Sequence, residues 1–169
     1  RLRPFERSDY LTHQIQVEFD RDATSEDLEK YLWHLAGGCS TCLQQLQCQA
    51  GYLITGATDM QKLFLMVGPT ASGKSTFTGL MLKLLAPSLA VAINSHSFAE
   101  RRASAPSNDL ARMKGARVVV ASEMPAAFKP DIPLLKSLSG GDRYYARQLY
   151  KEYEEANRCA KLVFVGNDF

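Results

Sequence analysis

Gly68-Pro69-Thr70-Ala71-Ser72-Gly73-Lys74-Ser75 has the spacing GxxxxGK[ST]. An apolar, strand-like run precedes it at 63–67 and an amphipathic stretch follows at 76–85. Glycines at that spacing let the backbone wrap so that successive amides point inward, at the positive end of the following helix, which makes a nest for phosphates. Lys74 then reaches the β and γ phosphates of a nucleotide, and the Ser75 hydroxyl meets a Mg²⁺ that bridges them. The segment Gly68 to Thr76 is therefore the candidate nucleotide site, with ATP and Mg²⁺ as expected ligands and Lys74 as a candidate catalytic residue.

Such a loop is shared by kinases, switches, motors and helicases, so a second element must decide the reaction. ATP hydrolysis needs a carboxylate at the end of a neighbouring strand, to polarise the attacking water or bind Mg²⁺. Arg117-Val118-Val119-Val120-Ala121-Ser122-Glu123 supplies one. Glu123 ends the apolar run, and Ser122 stands where many such ATPases carry Asp. Glu123 is the candidate base and, with Ser75, a candidate metal ligand.

The elements that must position these residues follow from periodicity. Beyond residue 61, short apolar runs at 63–67, 89–93, 117–121, 146–150 and 162–166 alternate with helical stretches at 74–85, 108–114 and 131–138, the pattern of a sheet with crossover helices. Continuous apolar runs such as Val118-Val119-Val120 imply strands buried on both faces, as in α/β folds. Residues 1–60 are instead mostly helical, with expected helices at 26–36, stopped by Gly37-Gly38, and at 39–50. The expectation is an α/β nucleotide-binding sheet over 61–169 with flanking helices, preceded by a small helical segment.

Composition agrees. The chain has 169 residues, 46% of them hydrophobic and 22% charged, enough for a packed domain, and no apolar run approaches the roughly 18 residues of a membrane span. Net charge is +2, but residues 1–60 carry 5 basic against 9 acidic residues and residues 61–169 carry 15 against 9. The basic excess fits a polyanionic partner for the second part or a solvated basic face. Four cysteines without a secretory signal read as reduced thiols in a cytoplasmic setting, bacterial or in a virus-infected host.

The ordered segments 110–123 and 134–142, then Ala146-Arg147-Gln148-Leu149-Tyr150-Lys151-Glu152 and the strand 161–166 ending at Asn167, resemble the superfamily 3 helicase domain of phage and plasmid primase-helicases, poxvirus-type proteins included. The resemblance covers the second part and extends weakly to 46–56. It implies an AAA+ P-loop ATPase that works as a homo-oligomer, a hexameric ring, on single-stranded DNA during replication. Carried over, Glu123 is the Walker B carboxylate and Asn167 a catalytic sensor of the γ phosphate. Residues 136–151 correspond to an element whose hairpin enters the ring channel, which makes Lys151 and then Arg147 the candidate DNA contacts. Tyr144, Tyr145 and Tyr153 either stack on bases or pack on the sheet. The family takes an arginine finger from a neighbouring subunit, after the sensor asparagine. Only two residues follow Asn167, so the chain is expected to be C-terminally truncated, with the finger beyond Phe169.

Two other functions share the loop: a small-molecule kinase, and an assembly module that binds nucleotide without turning it over. Cys39-Ser40-Thr41-Cys42 has C-x-x-C spacing, but no second pair completes a zinc pattern. Cys39, Cys42 and Leu46 are expected instead on the buried face of their helix.

Overall fold

The computed structural model describes residues 3–100, 108–125, 127–140, 144–147, 153–156 and 160–167. In chain order the regular elements are α1 (Glu26–Leu35), α2 (Ser40–Ile54), β1 (Phe64–Val67), α3 (Lys74–Leu89), β2 (Ala90–Asn94), α4 (Asn108–Arg112), β3 (Val118–Met124), α5 (Ile132–Gly140), β4 (Tyr144–Arg147), β5 (Tyr153–Ala156) and β6 (Lys161–Gly166). Four strands form one sheet in the order β1-β6-β3-β2, and every neighbouring pair is parallel. The fold is α/β.

Alternation along the central strands sends side chains to two cores. Val119, Ala121, Leu162 and Phe164 face Leu135 and Leu138 of α5, with Phe98 set edge-on to Phe164 at 5.3 Å between ring centres. Val118, Val120, Val163 and Val165 face Phe77, Leu85 and Leu89 of α3 and Leu53 of α2. All six residues of β6 are buried, so apolar side chains are required on both faces of that strand. Tyr31, Leu32 and Leu35 of α1 pack on the α3 side as well.

Several boundaries depart from the sequence expectation. Helix α3 runs through Pro87 to Leu89 instead of stopping at Leu85. Leu85 and Leu89, four residues apart, are both buried against the sheet, and that burial outweighs proline's poor helix propensity. Of the strand expected at 146–150, residues 146 and 147 lie in β4, which begins at Tyr144 and lies outside the main sheet, and 148–150 lie outside the described residues. Strand β4 pairs antiparallel with β5, Tyr144 opposite Ala156 and Arg147 opposite Tyr153.

The inward face of α2 is Leu43, Leu46, Ala50 and Leu53, not a stripe beginning at the cysteines. Cys39, Cys42 and Cys48 are exposed, which corrects the expectation that Cys39 and Cys42 are buried. The C-terminus of α2 meets the sheet through cations that the helix itself lacks. Arg117 donates to the Ile54 carbonyl at 2.9 Å, and Lys161 donates to the Thr55 carbonyl and to the Ala57 carbonyl at 3.2 Å. The Lys161 ammonium also lies 5.0 Å from the centre of the Tyr52 ring. Positive charge at the negative end of the helix dipole is favourable, which explains how Lys161 is tolerated at 2% exposure. Among the described residues no helix is long and apolar enough to cross a membrane.

Candidate functional site

In a parallel sheet the loops at the carboxyl ends of the strands form a crevice where neighbouring connections leave for opposite faces. Here the chain leaves β1 into α3 on one face and leaves β3 towards α5 on the other, with β6 between them. A cavity of about 590 Å³ opens at that point.

The 68–73 loop forms one wall. Ala71 and Gly73 take left-handed backbone angles, φ 63° and 92°, which turn the chain sharply into α3. Gly73 is required twice over: its φ favours glycine, and a Cβ there would sit 3.1 Å from the Tyr31 ring. The Gly73 carbonyl accepts from the Phe77 amide at 3.0 Å and from the Tyr31 hydroxyl at 2.8 Å, so α1 holds the loop from behind. Because α3 begins at Lys74, its unpaired first-turn amides are offered to the cavity beside the loop.

Lys74 is 7% exposed. Its ammonium donates to the carbonyls of Gly68 at 2.7 Å and Pro69 at 2.8 Å and to the Ser72 hydroxyl at 3.1 Å, which uses all three of its donors. A buried cation needs such partners. All three are loop atoms, so the charge stays at the mouth of the loop where an anion would meet it.

The opposite wall comes from β3 and β6. The pairing of β3 with β6 slips between Ala121 and Met124, and Glu123 within that bulge has φ 62°. A non-glycine residue in this region carries strain, and strain of this kind concentrates at functional sites. The Ser95 hydroxyl, 1% exposed, donates to the Glu123 carbonyl at 3.1 Å and pins the bulge. The Glu123 side chain is thereby left exposed at the cavity, with Asn167 just past the end of β6.

Thr70, Ala71, Ser72, Gly73, Lys74, Ser75, Thr76, Glu123 and Asn167, all expected from sequence, line one cavity. Gly68 and Pro69 do not line it and act through the carbonyls that hold Lys74. Arg147 lies in β4, and Lys151 lies outside the described residues. Ser122, Met124, Val165 and Gly166 also line it. Tyr31 and Ser95 were not expected at the site. Tyr31 falls on an apolar helix stripe, and no local pattern marks its hydroxyl as a loop anchor. The hydroxyl of Ser75 and the carboxylate of Glu123 are hard oxygen donors on facing walls, a set that suits Mg²⁺.

Residues 66–169 match the model of a family of unknown function, DUF5906, over more than half of the chain. The chain belongs to that family. Among the described residues, those lining the cavity of this DUF5906 chain all fall in the matched region, and Tyr31, outside that region, bonds the loop from behind. Solved structures similar to the DUF5906 chain include the apo structure of the NrS-1 C-terminal region, residues 305–718, with TM-score 0.62 at 13% identity. The A form apo structures of the same region give 0.61 at 13% and 0.58 at 12%. Each alignment covers 86% of this chain and 33% or 34% of the other, so the chain spans about a third of the region it matches. At that identity the likeness is one of fold. No curated protein matches the sequence.

Proposed function

We propose that the chain is the ATPase core of a DNA helicase or translocase of the superfamily 3 type, from a phage, plasmid or prophage replication protein. The observation that carries the reading is the meeting, in one cavity, of residues 70–76 with Glu123 and Asn167, the three separated from one another by more than 40 residues in sequence. The likeness of fold to the NrS-1 C-terminal region is compatible with it.

In this reading the loop amides and Lys74 hold the β and γ phosphates of ATP and balance the charge that develops on them. Ser75 and Glu123 would hold a Mg²⁺, which would supply charge neutralisation on the phosphates. Glu123 orients the attacking water and takes its proton, with its carbonyl fixed by Ser95. Asn167 hydrogen-bonds the γ phosphate or the water. Lys151 and Arg147 contact the backbone of single-stranded DNA in a homo-oligomeric ring.

The test is ATP hydrolysis with and without single-stranded DNA, and with small-molecule phosphoryl acceptors. Turnover stimulated by DNA supports the translocase. Phosphoryl transfer to a small acceptor instead makes the protein a kinase, and tight ATP binding with no turnover under any condition makes it an assembly module.

A further inference from the structure

The α1–α2 corner carries chemistry that the nucleotide cavity does not use. Gly37 and Gly38 both take left-handed angles, φ 66° and 71°, and turn the chain directly into Cys39. Cys39 is the N-cap of α2, and its sulfur accepts from the Cys42 amide at 3.4 Å. Cys42 is three residues on, in the first turn of the same helix. Both side chains are exposed.

A thiolate at a helix N-terminus is stabilised by the amides and dipole it faces, and the first turn of α2 holds no acidic residue to oppose that effect. The hydrogen bonds from the Cys42 thiol and amide hold Cys39 below the ordinary thiol range, and the same pair pushes Cys42 up. Among the described residues no group of three or more histidine, cysteine or acidic side chains gathers to hold a metal. Cys48 is exposed too, but it lies six residues past Cys42, about 9 Å further along the helix axis.

We infer that Cys39 and Cys42 form a redox-active dithiol that exchanges with low-molecular-weight disulfides, Cys39 attacking and Cys42 resolving. The Cys39 thiolate attacks one sulfur of the disulfide RSSR, the S–S bond breaks, and the first RS⁻ leaves and is protonated. Cys42 gives up its proton and attacks the Cys39 sulfur of the mixed disulfide, expelling the second RS⁻, which is protonated in turn. The pair loses two electrons and two protons to form the Cys39–Cys42 disulfide, and RSSR is reduced to two RSH. A dithiol reductant reverses the sequence. The inference is independent of any nucleotide chemistry.

The experiment equilibrates the chain with reduced and oxidised glutathione, quenches with acid, alkylates the remaining thiols and maps the cysteines by peptide mass. The expected product is a Cys39–Cys42 disulfide, lighter by two hydrogens, formed equally well in Cys48→Ser and absent from Cys39→Ser and Cys42→Ser. In Cys42→Ser, glutathione is expected to accumulate on Cys39, and in Cys39→Ser to add to Cys42 about tenfold more slowly. Both side chains are exposed and serine is itself a favoured N-cap, so these variants keep the fold. Failure to form the Cys39–Cys42 disulfide at any glutathione ratio, pairing through Cys48 or Cys159 instead, or equal reactivity of Cys39 and Cys42 overturns the inference.

Discussion

The hydroxyl of Tyr31 donates to the carbonyl of Gly73 across 2.8 Å and 42 positions of sequence. Burial pushes this phenol above its ordinary pKa, so it stays protonated and able to donate at neutral pH. The contact joins the N-terminal helical segment to the loop that is proposed to hold phosphates. Tyr31→Phe keeps the ring and removes only the hydrogen bond, leaving the Gly73 carbonyl with the Phe77 amide. The expected cost is about 0.5–1.5 kcal/mol in denaturant unfolding, with weaker ATP binding. Unchanged stability and unchanged affinity together would show that the contact supports nothing.

Gly73→Ala adds a Cβ at φ 92° and 3.1 Å from the Tyr31 ring. It is expected to lose about 1–3 kcal/mol of stability and to impair ATP binding. Gly51, inside α2, has open space where its Cβ would go and no left-handed angle. Gly51→Ala is therefore expected to gain about 0.4–1 kcal/mol. Paired denaturation curves check both signs in one experiment.

Lys161→Ala removes the donor that serves the Thr55 and Ala57 carbonyls and empties a site of 2% exposure beside the Tyr52 ring. Stability is expected to fall by about 2–4 kcal/mol. A stability loss under a quarter of that size would mean that the end of α2 is held by Arg117 and the packing of Leu53 without Lys161.

Glu123→Gln keeps the size of the side chain and removes its basicity. If Glu123 takes the proton of the attacking water, ATP turnover falls by about 10²–10⁴ while ATP binding survives. Turnover at the wild-type rate would remove Glu123 from the mechanism.

Local signals in the sequence and the contacts in space parted company in consistent ways. The 68–76 loop and Glu123 were legible because loop spacing and the end of an apolar strand are local patterns. The bulge at Glu123 was not, since it depends on how β3 registers against β6 and on Ser95, in the turn just past the end of β2. Helix α3 outran its expected end because Leu89 is buried, a tertiary fact that local proline chemistry does not carry. On α2, cysteine's apolar character suggested the inner face, while the packed stripe begins at Leu43 and leaves the thiols outside. The Tyr31 anchor had no sequence signal at all.

The central claim is that the cavity binds ATP through its loop and Lys74. Calorimetric titration of Mg²⁺-ATP into the wild-type chain and into Lys74→Ala tests it, with circular dichroism to establish that the variant remains folded. Loss of a charge-assisted contact of about 1.5–3 kcal/mol predicts affinity at least about tenfold weaker in the variant. Equal affinity in a folded Lys74→Ala, or no binding by the wild-type chain, would contradict the account.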